Sequence, residues 1–203
     1  MKKRMERLIL LWALALAPLC GGDARMTADE RRKSLNWLEE SRKEFLSAID
    51  GVSERQWRWK PAPERWSVGE VAEHIVLAEA ALFGNLKKAL SSPGNPDWEE
   101  KTKGQTAKLE AVLAPRVGRA TAPEALVPKE GMTPAQAKER FEKQRAEIVR
   151  FATETDVPLK QYTVDNPFFG TLSGYDRLVY APLHTMRHIK QIAEVKGTAG
   201  YPQ

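Results

Sequence analysis

The chain has 203 residues but only one cysteine and three histidines. With Cys20 alone, no intrachain disulfide and no multi-thiolate metal site can form, so a metal centre would need nitrogen and oxygen ligands. The apolar run Leu8–Cys20 covers 13 residues and contains Pro18, well short of the roughly 20 that span a bilayer. There is also no basic run interleaved with aromatics, which argues against nucleic-acid binding. What remains is 42% apolar and 29% charged residues, the composition of an ordinary globular protein. The length suits one domain with a full hydrophobic core.

The N-terminus has a grammar of its own. Lys2, Lys3, Arg4 and Arg7 precede the apolar run, and small residues follow at Gly21, Gly22 and Ala24. That order reads as a secretory signal over residues 1–24, cleaved after Ala24. Cleavage removes four basic and two acidic residues, taking the net charge from +5 to +3. The mature chain, residues 25–203, is expected to be exported, periplasmic or extracellular, and free of the membrane. A lipoprotein signal at Cys20 is the weaker reading, because Pro18-Leu19 precedes the cysteine where such signals favour a small residue.

Four amphipathic helices follow from periodicity and start signals. Thr27-Ala-Asp-Glu30, Ser67-Val-Gly-Glu70 and Thr133-Pro-Ala-Gln136 are capping boxes. The first opens a helix whose stripe is Leu35, Leu38, Phe45, Leu46 and Ile49, stopped at Asp50-Gly51. The second opens a helix with Val71, His74, Ile75, Ala78, Leu82, Leu86 and Leu90 at i, i+3, i+4, i+7 spacing. The third, with Phe141, Arg145, Ile148, Phe151 and Ala152 on one side, ends before Val157-Pro158. A last helix is predicted from Ser173 to Lys196 with Gly197 as its stop. Pro182 would bend it one turn before His184, or make it restart there.

The connections are less regular. Trp57, Trp59, Pro61 and Pro63 suggest an aromatic-anchored loop. Residues 91–132, rich in Pro and Gly, read as a long crossover with one short helical turn at Lys108–Leu113. Asn166-Pro-Phe-Phe-Gly170 reads as a turn between two short extended pieces. The expected fold class is all-α, a four-helix bundle with a long connection between its second and third helices.

All three histidines fall on apolar stripes. His184 and His188 are one helical turn apart, which places their Cβ atoms about 5–6 Å from each other on one face. His74 lies on the buried side of the second helix. Polar rings directed into one apolar interior are costly unless something satisfies them together. A divalent metal held by His74, His184 and His188, with one coordination position open, answers that cost. Around it, Glu70 reads as a cap or a group orienting His74, and Tyr180 as packing or reaching the open position. Gln191 is a bundle contact or a hydrogen-bonding partner, Trp66 an anchor at the helix entry, and Arg187 solvated or an anion ligand.

Three phrases carry a family resemblance: Trp66-Ser67-x2-Glu70-x3-His74, Asn166-Pro-x-Phe-Gly170 and His184-x3-His188-x2-Gln191. Together they resemble the DinB/YfiT-like superfamily, whose members are read as metalloenzymes, over roughly residues 30–197. Ala122-Pro-Glu-Ala-Leu-x-Pro128 is similar to a segment found in a subset of members. The resemblance implies an up-up-down-down bundle and a divalent ion, typically zinc or nickel, on His74, His184 and His188. It also implies a metal-dependent enzyme activating a bound thiol or water, as in thiol S-transferases or hydrolases. The family often shows His where this chain has Asn166, and an export signal fits water better than a cytosolic thiol. A non-catalytic exported metal-binding or interaction module is the alternative. The substrate would be a small molecule, and the exposed helix faces leave a homodimer open.

Overall fold

The computed structural model describes residues 22–203 apart from Arg119 and Glu130. The signal segment therefore lies, up to residue 21, outside the described residues. Four long helices dominate the chain: α1 (Ala28–Ile49), α3 (Val68–Ala89), α6 (Pro134–Glu154) and α7 (Gly174–Lys196). Each begins where a side chain closes on its own backbone. Thr27 Oγ1 accepts from Glu30 N at 3.1 Å while Glu30 returns the bond to Thr27 N at 2.7 Å. The same exchange joins Ser67 with Glu70 and Thr133 with Gln136. α7 uses Ser173 with Asp176, which also accepts from the Thr106 hydroxyl. Every such cap satisfies two backbone donors left free at a helix start, worth about 1 kcal/mol each time.

The helices close a ring: α7 packs on α3 and α1, and α6 packs on the other sides of the same two. The core falls into two apolar clusters. One gathers Leu38, Leu82, Leu86, Ile148, Leu172, Leu178 and Leu183, and the other Phe45, Val71, Ile75, Phe141, Ile192 and Val195. Between the helices lies a polar knot. Arg145, wholly buried, pairs with the buried Glu79 and donates to Leu38 O and to Ser41 Oγ. Thr185 Oγ1 donates to Glu79 at 2.9 Å. All four long helices thus meet through one ion pair.

Several connections differ from their sequence reading. Residues 54–58 form a short helix, α2, rather than a loop; Ser53 and Gln56 make its capping box. The buried Trp57 indole donates to Met132 O at 2.8 Å, so a helical turn is what delivers that ring to the interior. Between α3 and α6 lie α4 (Trp98–Thr102), α5 (Gln105–Val112) and a 3-10 turn at Glu124–Leu126. The extended pieces pair as an antiparallel ribbon, β1 (Thr163–Asn166) and β2 (Gly170–Ser173), with Asn166 opposite Gly170. This ribbon departs from a strictly all-α fold. Its turn needs a residue at φ +78°, which Gly170 supplies without strain. α7 runs unbroken through Pro182, so the helix does not restart there.

Candidate metal centre

The three histidines converge from α3 and α7. One ligand atom from each of His74, His184 and His188 lies within 4.8 Å of the others. The ring centroids are 5.1 Å apart for His74–His184, 4.5 Å for His74–His188 and 4.4 Å for His184–His188. A hydrogen bond on the far side of the ring orients two of them. His74 Nδ1 donates to Leu126 O at 2.8 Å, and His188 Nδ1 donates to Gln191 Oε1 at 2.8 Å. Both acceptors lack a proton to give, so in the neutral ring each Nε2 is left with a lone pair.

His184 is satisfied differently. Its Nδ1 is buried without a hydrogen-bond partner, and its Nε2 lies 3.1 Å from His188 Nε2. Two ring nitrogens at that separation can share at most one proton. The separation is close to the roughly 3.3 Å edge of a tetrahedron with metal–nitrogen bonds of 2.0–2.1 Å. With the His184 proton on Nδ1, both Nε2 atoms carry lone pairs that a divalent cation could take together with His74 Nε2, and the donor set fits one. Burial also keeps the rings neutral, the form that binds metal. It pushes His188 down to about 3, assisted by the neighbouring His74. Burial lowers His184 well below the usual imidazole range and lowers His74 too.

The surroundings hold these rings in place. Trp66 lies 4.9 Å from His74, centroid to centroid. Arg116, with φ +61°, donates from Nη1 to Gln191 Oε1 at 3.3 Å and forks onto Glu194. The Glu73 carboxylate accepts from Lys129 N at 2.6 Å and Met132 N at 3.1 Å. It thereby ties down the strap that presents Leu126 O to His74. The Glu70 carboxylate makes no hydrogen bond to His74 among the described residues; it caps Ser67 and pairs with Lys60 at 3.0 Å. Arg187 is buried rather than solvated, donating to Val117 O and Gly118 O at 3.0 and 2.7 Å. The Tyr180 ring meets His184 edge-on at 5.9 Å and Phe169 at 5.5 Å.

The cluster opens onto a cavity of about 830 Å³, lined by residues of α3, α5, α7, the strap and the ribbon turn. Sequence reasoning missed the Leu126 carbonyl, Glu73, Arg116 and Arg177. A backbone carbonyl carries no side-chain signal at all. The charged residues could have been suspected only from their spacing to the histidines, as with Arg177, two turns before His184.

A helical bundle with three imidazoles converging on an accessible cavity defines a class of protein with a ready-made divalent-cation site. The chain belongs to the DinB superfamily, whose model matches residues 38–192. It is 24% identical over 160 residues to the uncharacterized protein YuaE of Bacillus subtilis, covering 78% of this chain and 94% of that one. Its fold is similar to that of YfiT from Bacillus subtilis, described as a probable metal-dependent hydrolase with an unusual four-helix bundle topology. The TM-score is 0.62 at 15% identity, with 87% of this chain and 91% of that chain covered.

Proposed function

We propose that the protein is a divalent-metal-dependent enzyme in which His74, His184 and His188 hold a zinc or nickel ion. The observation that carries this is the nitrogen-to-nitrogen contact of His184 and His188 at the floor of an open cavity. A structural metal site is normally sealed, whereas a catalytic one keeps a position facing its substrate. Bound there, the ion supplies Lewis acidity, making a water or a thiol a better nucleophile at neutral pH.

The chain's own groups do the positioning. Leu126 O and Gln191 fix the two rings they touch, and Arg116 holds Gln191 in turn. Burial raises the Tyr180 hydroxyl above the usual phenol range, so it stays protonated and available as a donor on the cavity wall. Hydrolysis of a small-molecule substrate is preferred over thiol transfer, because residues 1–24 read as an export signal, and export would part the mature chain from cytosolic thiols. The up-up-down-down helix order belongs to the same reading.

One observation favours a second reading, a non-catalytic metal-binding module. Among the described residues the cavity wall offers only Glu64 and Asp165 as carboxylates, and both are exposed rather than aimed at the histidines.

The test is metal analysis of untagged protein, as purified and after reloading the stripped form with zinc or nickel. About one ion per chain is expected in the native protein, and a large loss of affinity in His74→Ala and His184→Ala. A native protein that retains no ion under either condition overturns the reading.

A further inference from the structure

The cavity wall carries more positive charge than its surroundings neutralise. Arg177 is 4% exposed and lines the cavity, yet its guanidinium donates to a backbone carbonyl, Asp165 O, at 2.9 Å. Its Nε is buried without a partner. No carboxylate of a described residue stands in ion-pair contact with it; the exposed Asp165 carboxylate, bonded to the Thr171 hydroxyl, acts on it only at longer range. Arg187, on the same helix and 8% exposed, is likewise met by backbone carbonyls. A guanidinium has five donors and a full charge, and burying one without a counter-charge is costly. The structural use of Arg187 is plain, since it straps residues 112–118 onto α7. Arg177 has one such bond and unspent donors.

Helix geometry relates this group to the histidines. Arg177, Tyr180, His184 and His188 share one stripe of α7. Seven residues separate Arg177 from His184, roughly 10 Å along the axis. The wall between and around them is largely apolar: Ala78, Leu82, Leu113 and Phe169 line it. At its rim stand Phe168 and Val117, which are 48% and 57% exposed and are the exposed large hydrophobics among the described residues. Both line the cavity. Exposed apolar groups gathered at one opening mark a place where an apolar body is received.

We propose that the cavity takes an amphipathic oxyanion: a carboxylate or phosphate ester seated on Arg177, joined to an apolar body that reaches the histidines. This rests on the histidine cluster being the reacting end. The planar fork of Arg177 suits both oxyanions, since each presents two acceptor oxygens. The ion on the histidines and the charge on Arg177 then engage opposite ends of one ligand.

The test uses three probes of one length, 4-phenylbutyrate, 2-phenylethyl phosphate and 4-phenylbutanamide, titrated calorimetrically into metal-loaded and metal-stripped full-length protein. At least one charged probe binds about tenfold or more tighter than the neutral amide, with or without metal. Which charged probe binds better identifies the source of the charge. In Arg177→Met that preference disappears, and Arg177→Lys retains part of it. Circular dichroism and thermal melting establish that the variants are folded. If Arg177→Met does not fold, the Lys variant decides: a wild-type preference in it shows the fork is not used. Equal binding of charged and neutral probes in the native protein overturns the proposal. So does failure of every probe to bind. A preference that survives in Arg177→Met but vanishes on stripping assigns the anion to the metal, which overturns the role of Arg177 and leaves the metal reading intact. A preference that depends on Arg177 in protein unable to hold metal supports this proposal and overturns only the metal reading.

Discussion

Replacing Arg145 by methionine removes one end of the ion pair that joins all four long helices. The side chain is wholly buried; it pairs with Glu79 and donates to Ser41 Oγ at 2.6 Å and to Leu38 O. Methionine fills much of the volume but leaves the Glu79 carboxylate with the Thr185 hydroxyl as its remaining side-chain donor among the described residues. Uncompensated buried charge of this kind costs about 3–5 kcal/mol, a large part of the ~5–15 kcal/mol that holds a domain folded. At about 2–4 °C per kcal/mol for a chain of this size, the melting temperature should fall on the order of 10 °C. Urea denaturation followed by circular dichroism measures the loss. Glu79→Leu alone should be comparably harmful, because it strands the guanidinium instead. The double variant should recover most of the loss, since an apolar pair replaces an ion pair at little net cost. Two single losses that simply add in the double variant, or an Arg145→Met cost below about 1 kcal/mol, would refute the coupling.

Other outcomes follow from the site. Gln191→Leu removes the acceptor that orients His188 and should weaken metal affinity about 10–100-fold with little change in melting; competition against a chelating dye reads it, and unchanged affinity refutes the role. Glu73→Ala frees the backbone donors of Lys129 and Met132. It should cost about 1–3 kcal/mol and speed amide exchange over residues 126–132, whereas unaltered exchange there would count against the tether. Acid should weaken the metal-free fold. Burial holds the three imidazoles below their ordinary value, so below about pH 6.5 the unfolded chain binds more protons. That contribution to stability is fully present above about pH 6.5 and shrinks as pH falls towards the folded values. Chelator-treated protein should therefore melt lower at about pH 5 than at about pH 7.5, and equal midpoints would contradict the burial.

Much of the frame was legible because its signals are local. The boxes at Thr27, Ser67 and Thr133 mark three helix starts to the residue. The stripes that place His74, His184 and His188 inward need only a period of 3.6 residues. The same kind of signal stands at Ser53-Glu-Arg-Gln56, where it went unread beside the Trp and Pro residues that argued for a loop. Glu79 and Arg145 escaped notice as a pair because 66 positions separate them, and no local pattern says which buried charges face each other. Arg187 was misjudged as solvated because the segment that covers it, residues 112–118, has no periodicity from which its path can be read.

The Leu126 carbonyl has a consequence for how the chain can change. A ring oriented by a side chain loses its support through a single substitution. His74 is oriented by main chain, which every residue type but a displaced one supplies equally. The strap is therefore free to exchange its side chains while still serving the ring, provided that Glu73 keeps hold of Lys129 N and Met132 N and the length of the strap is preserved. Insertions and deletions, not point changes, are what would disturb His74 from this side.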